Sequence, residues 1–185
     1  MAFLGHVREF LKSDESKARV LKFLAKFLIF AIPLYIILYF NLEWQQLESS
    51  IAGIVSFLLG AMGFAVQRGG DFISIPVSGG QWGAFINWDC TGWKSFLALI
   101  ALVMATDFSL DKKAKGLAVM LPALFAVNIA RIVFMFWFVS DFGLAYFDLV
   151  HLVIWSWGLI LTILVFWAIW MRWASGKTRN TKQKN

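Results

Sequence analysis

The apolar residues of this chain form blocks of roughly 20 residues, and this arrangement restricts its possible folds more than any other feature. Of the 185 residues, 60% are hydrophobic, whereas soluble domains are about 45–50% apolar. A helix needs roughly 20 apolar residues to cross about 30 Å of hydrocarbon. A soluble fold of this size cannot hide so much apolar surface. The sequence therefore predicts an all-α integral membrane protein.

Five apolar blocks predict about five transmembrane helices, at residues 20–40, 47–66, 88–106, 116–139 and 149–173. Pro33 predicts a kink in the first span, and Pro122 predicts a break early in the fourth. Between the second and third spans, residues 72–77 and 81–88 are strand-like and are joined by a Ser-Gly-Gly turn. They predict a short β-hairpin at the membrane surface.

The spans are expected to form one membrane domain at residues 20–173, whose core covers residues 67–172. Residues 1–19 mix basic and acidic side chains and are expected to form an amphipathic or irregular segment before it. Nothing in them resembles a cleavable signal, so the first span is expected to be retained. The polar, basic residues 174–185 are predicted to form a disordered tail.

The net charge of +6 lies mainly at the two ends of the chain and in the loop at residues 107–115. This distribution favours contact with anionic lipid headgroups over binding to nucleic acid. Because Lys and Arg accumulate on cytoplasmic loops, the tail and this loop are expected inside and the hairpin outside. With five spans the basic N-terminus then falls outside, against the same rule. The sequence therefore does not determine on which side of the membrane the N-terminus lies.

Cys90 is the only cysteine of the chain. It excludes an intramolecular disulfide and any zinc or iron–sulfur site built from several cysteines. No cofactor and no metal ion is predicted.

Ionisable residues within membrane spans are costly, so each requires a reason. With the lysine-rich loop inside, the third and fifth spans both start at the outer face, which places Cys90 and His151 at one level. Arg131 lies about 12 Å below the outer end of the fourth span at 1.5 Å per residue, and its side chain can extend upward. Three helices therefore bring a thiol, a guanidinium and an imidazole to one layer.

This combination of side chains suits acyl transfer. A Cys90 thiolate is a strong nucleophile once a nearby positive charge or a helix N-terminus lowers its pKa. His151 can take the thiol proton, with Asp148 orienting its ring. Arg131 can stabilise the thiolate or the oxyanion of a tetrahedral intermediate, and Asn128 can hydrogen-bond the same group.

Two other classes of protein remain open from the residues alone. In a membrane scaffold or assembly subunit, Cys90 is a small packing residue. In a small transporter component, Arg131 lines a polar path, although no run of polar residues continues such a path through the spans. The enzyme differs from both because it requires Cys90, Arg131 and His151 to lie within reach of one another beside a groove.

Two short motifs and one histidine resemble those of a known family. The motifs are Cys90-Thr91-Gly92 and Asn128-Ile129-Ala130-Arg131, and the histidine is His151. The first resembles the Cys-Ser/Thr-Gly/Ala motif of the exosortase/archaeosortase family, and the second resembles its Asn-x-x-Arg. The histidine stands at the start of the following helix, as in that family. The order and spacing of the motifs across residues 67–172 make the resemblance more specific than any single motif.

The resemblance implies a prokaryotic cysteine endopeptidase and transpeptidase of the cell membrane, with its active site toward the extracytoplasmic face. Its partners would be the C-terminal sorting signals of exported proteins, each with a short motif, one hydrophobic helix and a basic tail. Cys90 would form a thioester, assisted by Arg131 and His151, and pass the protein to a lipid or surface component. Gly53 and Gly60, in a stripe of small residues on the second span, are expected to receive the substrate's helix.

Overall fold

The computed structural model describes residues 14–77, 80–144, 147, 150 and 157–182. Its helices are α1 (Asp14–Phe30), α2 (Ile32–Phe40), α3 (Gln45–Ala61), α4 (Trp93–Ala105), α5 (Leu110–Phe142) and α6 (Leu159–Lys182). Between α3 and α4 lie the strands β1 (Gln67–Gly69), β2 (Phe72–Val77) and β3 (Gly80–Phe85), and then a 3₁₀ turn, Trp88–Thr91. The predicted class, an all-α membrane protein with a short hairpin, is confirmed.

Three stretches of the described chain are long and apolar enough to cross a membrane, and they are Glu15–Phe40, Leu110–Phe142 and Leu159–Gly176. The apolar helix α4 has 13 residues, which is about 20 Å of helix and shorter than the hydrocarbon layer. Helix α3, which was expected to be the second span, is not among these stretches. The last helix also continues past the expected end of the fifth span, as far as Lys182.

The kink predicted in the first span is present. Helix α1 ends at Phe30, and α2 begins at Ile32 with Pro33 in its first turn. A proline is tolerated there because the N–H groups of a first turn have no partner within the helix. The two helices together make one stretch that is long enough to span the bilayer.

The break predicted at Pro122 is wrong, because α5 continues through this residue over 33 residues. Membrane helices tolerate an internal proline where neighbouring helices and local adjustments satisfy the freed backbone groups. The polar loop expected at residues 107–115 is also shorter than predicted, since α5 begins at Leu110. Asp111 pairs with Lys115 one turn later at 2.9 Å, an arrangement that favours the helix.

The predicted hairpin is present and gains a third strand, in the order β1-β2-β3. All pairs are antiparallel, with Phe72 opposite Phe85 and Gln67 opposite Ser74. Ile73 and Ile75 on β2 are buried. The sheet is therefore covered on one face, as an antiparallel sheet commonly is.

The buried core has two parts. The first joins α3, the sheet and the second half of α5, and includes Ile51, Val55, Leu59, Ile73, Ile75, Ile132 and Phe136. The second joins α4, α5 and α6, and includes Leu99, Val103, Leu124, Ile163 and Trp170. Cys90 belongs to the first part, close to where the chain passes to the second.

The sheet folds back along α3. The Arg68 guanidinium donates a 2.8 Å hydrogen bond to the carbonyl of Ser49, and it lies over Gly53, where an added Cβ would be 3.0 Å from Nη1. At the other end of the stripe of small residues, Gly60 has no heavy atom within 4 Å of such a Cβ. Arg68 therefore covers part of the surface that was expected to receive a substrate helix.

The first span is tied to the lysine loop, the short segment between α4 and α5 that directly precedes Lys112, Lys113 and Lys115 in the first turns of α5. Lys26 forms a salt bridge with Asp107, and Lys22 lies 3.8 Å from the same carboxylate. At its other end, Asn41 lines a cavity together with Asp89, the residue before the cysteine. The span therefore starts at the face of the lysine loop and ends at the face of Cys90.

Candidate active site

Cys90 lies in the 3₁₀ turn before α4, and not in the first turn of a span that starts at residue 88. The helix begins only at Trp93, because Gly92 has a φ of 79° and ends the turn in the left-handed region. A residue with a Cβ rarely adopts this conformation. The thiol therefore lies in a separate 3₁₀ turn that precedes the N-terminus of α4, and not within the helix itself.

Asn87 holds both the turn and the thiol, and sequence reasoning missed it. Its backbone and side-chain oxygens accept hydrogen bonds from the Cys90 N–H over 2.9 and 3.2 Å. The thiol itself donates to Asn87 Oδ1 over 3.0 Å. An asparagine immediately before a helical turn is a typical N-cap, and this is the signal that identifies Asn87.

Thr91 stabilises the same turn. Its hydroxyl donates to the Trp88 carbonyl over 2.8 Å and accepts from the Trp93 N–H over 3.4 Å. The Trp88 and Trp93 rings also stack, with centroids 5.6 Å apart. Thr91 is therefore a structural member of the predicted site, and its hydroxyl is used within the turn.

Asn128 connects α5 to the turn that carries the thiol. Its side-chain amide donates to the Cys90 carbonyl over 2.9 Å, and the residue is only 1% exposed. A Cβ at Gly92 would lie 3.0 Å from Asn128 Cγ. Glycine is thus required at position 92 for two reasons, its positive φ and the close approach of this amide.

Arg131 follows Asn128 by one helical turn. Arg131 and Cys90 are both buried, at 6% and 7% exposed. The positive charge of the guanidinium is felt at the thiol, where it lowers the pKa of Cys90. The structure therefore brings together Cys90, Arg131 and Asn128 of the predicted site residues.

Burial is the largest influence on the thiol and raises the pKa of Cys90 to about 11. A backbone hydrogen bond with Asn87 and the charge of Arg131 lower this pKa, whereas the charges of Asp89 and Glu48 raise it. The resting thiol is therefore protonated at neutral pH, consistent with its donation to Asn87. A base is needed to produce the thiolate nucleophile.

Two carboxylates near the thiol have different surroundings. Asp89 forms a 2.7 Å salt bridge with Lys94, and both side chains are about half exposed. Glu48, in the first turn of α3, is buried, and burial followed by the charges of Glu43 and Asp71 raises its pKa. Sequence reasoning missed Glu48 because it lies in a polar stretch at the start of an expected span.

His151 and Asp148 lie outside the described residues. Their roles as general base and orienting group therefore stay predictions. One described neighbour in sequence, Phe147, contacts Trp82 of β3 with ring centroids 5.5 Å apart.

A cavity of about 280 Å³ opens beside the thiol, and its lining includes Trp82, Ala84, Phe85, Asn87, Cys90 and Phe136. Its walls come from β3, from the turn that carries Cys90 and from the second half of α5. Apolar side chains dominate the lining, with Asn87 and Asp89 as its polar members. A mostly apolar cavity with a few polar groups is the usual composition of a ligand-binding site.

The apolar helices, long enough to cross a bilayer, define a multi-pass membrane protein. The buried Cys90 thiol beside a cavity is its candidate nucleophile. A model of the transmembrane exosortase family matches residues 10–171. The match covers most of the chain, which therefore belongs to the transmembrane exosortase family. No curated protein and no solved structure shows a significant match to it.

Proposed function

We propose that this protein is a membrane cysteine endopeptidase and transpeptidase that cleaves the C-terminal sorting signals of exported proteins. Its substrates would carry a short extended motif, one hydrophobic helix and a basic tail. The observation that carries the proposal is the buried Cys90 thiol, which lies beside a 280 Å³ cavity and within the electrostatic influence of Arg131. Family membership is consistent with it.

The proposed reaction has two steps. The thiol of Cys90 loses its proton to a base, for which His151 is the candidate, and the sulfur adds to the carbonyl carbon of the scissile peptide bond. Arg131 stabilises the negative oxygen of the tetrahedral intermediate. The C–N bond then breaks, the amine leaves with a proton, and the protein remains as a thioester on Cys90.

In the second step, a nucleophile from a lipid or a surface component attacks the thioester carbonyl and displaces the sulfur. The thiol regains its proton, and the exported protein is joined to the acceptor. If the acceptor is water, the same chemistry gives simple hydrolysis. Hydrogen bonds from Thr91 and Asn128 fix the backbone of the turn that holds Cys90.

The site is proposed to face the extracytoplasmic side. Four segments then cross the membrane, namely the first span, residues 88–106 (which include α4), α5 and α6. Helix α3 and the sheet return to the face of Cys90. Both basic ends and the lysine loop lie inside in this arrangement, which satisfies the positive-inside rule. The salt bridge between Lys26 and Asp107 supports it, because it ties the N-terminal half of the first span to that loop.

Cleavage of a signal-bearing reporter, co-expressed with the protein, tests the proposal. Cys90→Ala eliminates cleavage, and Cys90→Ser nearly does so because a hydroxyl has a far higher pKa than a thiol. Thr162→Ala, a small change on α6 that removes a hydrogen bond to the Gly158 carbonyl, is the matched control and retains cleavage. Cleavage by Cys90→Ala at the wild-type rate rejects the proposal.

A further inference from the structure

The outer edge of β3 differs from the other edge of the sheet. In the described part of the chain the strand order is β1-β2-β3, so β3 has a partner on one side only. β1 has three residues and carries Arg68, whose guanidinium is bound to α3. β3 has six residues, Gly-Gln-Trp-Gly-Ala-Phe, with no charge and no proline. Proteins usually protect such an edge with charges, prolines or a short strand.

The register shows which groups of β3 point outward. The N–H of Ile86 donates to the Asp71 carbonyl over 2.9 Å, so these two residues form a hydrogen-bonded pair. In antiparallel strands such pairs alternate with pairs that are not hydrogen-bonded. The N–H and C=O groups of Gln81, Gly83 and Phe85 therefore point away from β2.

The outer edge of β3 lies next to the cavity that contains the Cys90 thiol. Phe85 ends the strand five residues before Cys90, and it lines the same cavity as Cys90 and Asn87. Trp82 and Ala84 alternate along β3 with the residues whose backbone N–H and C=O groups point away from β2. They form another wall of that cavity. A chain that paired with β3 would thus run along the cavity and reach the sulfur.

We propose that the segment of the substrate around the cleavage site binds as an added antiparallel or parallel strand on the outer edge of β3. This inference rests on the proposed function and names how its substrate is held. Main-chain hydrogen bonds to Gln81, Gly83 and Phe85 provide affinity without dependence on sequence, and the apolar cavity selects one or two side chains. The pairing would also keep the scissile bond extended and aligned with the thiol.

The test uses a peptide probe, acetyl-Ala-Leu-Ala-Leu vinyl sulfone, which alkylates a thiolate, with the full-length protein in liposomes. Two further versions carry N-methyl groups on residues 1 and 3 or on residues 2 and 4. Alternate N–H groups of an extended chain point to the same side. One methylated version is therefore expected to modify Cys90 at least tenfold more slowly, while the other keeps the rate of the parent probe. Equal rates for all three probes, or equal losses for both methylated ones, overturn the proposal.

A variant of the protein tests the same edge from the other side. Gln81→Pro removes an outward N–H without removing a hydrogen bond to β2, and edge strands tolerate such a proline. It is expected to slow the peptide probe at least tenfold relative to Gln81→Ala, which keeps the N–H, while the rate with iodoacetamide stays the same. A wild-type probe rate in Gln81→Pro contradicts strand pairing.

The outcomes separate this inference from the proposed function. If strand pairing is wrong and the function is right, reporter cleavage still requires Cys90, but the probes do not distinguish their methylation patterns. If the function is wrong, Cys90→Ala still cleaves the reporter, whatever the probes show. Should Gln81→Pro fail to fold, the three probes on the wild-type protein still decide.

Discussion

The side-chain amide of Asn128 donates a hydrogen bond to the backbone carbonyl of Cys90 over 2.9 Å. The contact joins residues 38 positions apart and fixes the turn of the thiol to the long helix α5. Arg131 is one turn further along that helix, so the same contact sets the position of its charge relative to the sulfur. The Asn-x-x-Arg motif thus has a physical basis, since the amide holds the turn and the charge of the guanidinium lowers the pKa of its thiol.

Loss of this amide is expected to destabilise the protein. Asn128→Ala leaves a buried carbonyl without its donor, which costs about 1–3 kcal/mol. Gly92→Ala also destabilises, because its Cβ meets the Asn128 amide and its φ is positive. Removing the amide relieves that clash, so the double variant is expected to lose less than the sum of the single losses. Thermal unfolding in detergent measures these effects, and full additivity would contradict the contact.

The reactivity of Cys90 is expected to rise steeply with pH. Because burial raises the pKa of the thiol to about 11, the thiolate fraction and the rate of alkylation by iodoacetamide increase roughly tenfold for each pH unit between 7 and 10. A rate that levels off below pH 9 would show a much lower pKa.

Two substitutions are expected to change that rate in opposite directions. Arg131→Gln removes a charge that lowers the pKa of Cys90, so alkylation at pH 8.5 becomes slower. Asp89→Asn removes a charge that raises this pKa, so alkylation becomes faster. Measurement of both variants in the same detergent provides an internal control, and a change in the same direction in both would contradict the electrostatic account.

A lysine at position 131 is not expected to replace the arginine. A guanidinium offers several donors in a fixed planar geometry, whereas an ammonium is a point charge. Removal of one oxyanion donor typically costs 10²–10³-fold in rate, so Arg131→Lys is expected to lower reporter cleavage by about 10²-fold. Near-wild-type cleavage would indicate that position 131 supplies charge alone.

The four-crossing arrangement predicts which faces react with a membrane-impermeant maleimide. In a Cys90→Ala background, Ala18→Cys and Ser109→Cys are expected to react only after the membrane is permeabilised, since both lie at the face of the lysine loop. Asn41→Cys is expected to react in intact cells, because it lies at the face of Asp89. Labelling of Ala18→Cys in intact cells would place the first span the other way round.

The fixed rise of a helix and the positive-inside rule led to the prediction of one level for Cys90 and Arg131, and in the structure the Cys90 turn is bound to Asn128, one turn before Arg131. It did not predict the 3₁₀ turn, because a glycine at position 92 is compatible with a continuous helix until its φ is known. The contacts of Asn87 also escaped prediction, since a capping asparagine is common in proteins and marks no chemistry by itself.

The second expected span shows a different limit of the sequence. Helix α3 has 17 residues that are mostly apolar after Ser50, and this pattern led to the prediction of a crossing helix. The chain instead folds back along it, and Arg68 reaches the carbonyl of Ser49 nineteen residues earlier in the chain. Such a long-range contact has no local signature. His151 and Asp148 stay predictions.

The central claim is that Cys90 forms a thioester with a sorted protein, and the most direct test is to trap that adduct. Membranes that contain the protein and a signal-bearing reporter are treated with acid to stop the reaction, and the adduct is identified by mass spectrometry. A reporter fragment joined to Cys90 is expected, released by neutral hydroxylamine and absent from Cys90→Ala. An active protein whose reporter is cleaved while Cys90 stays unmodified and open to alkylation throughout turnover would contradict it.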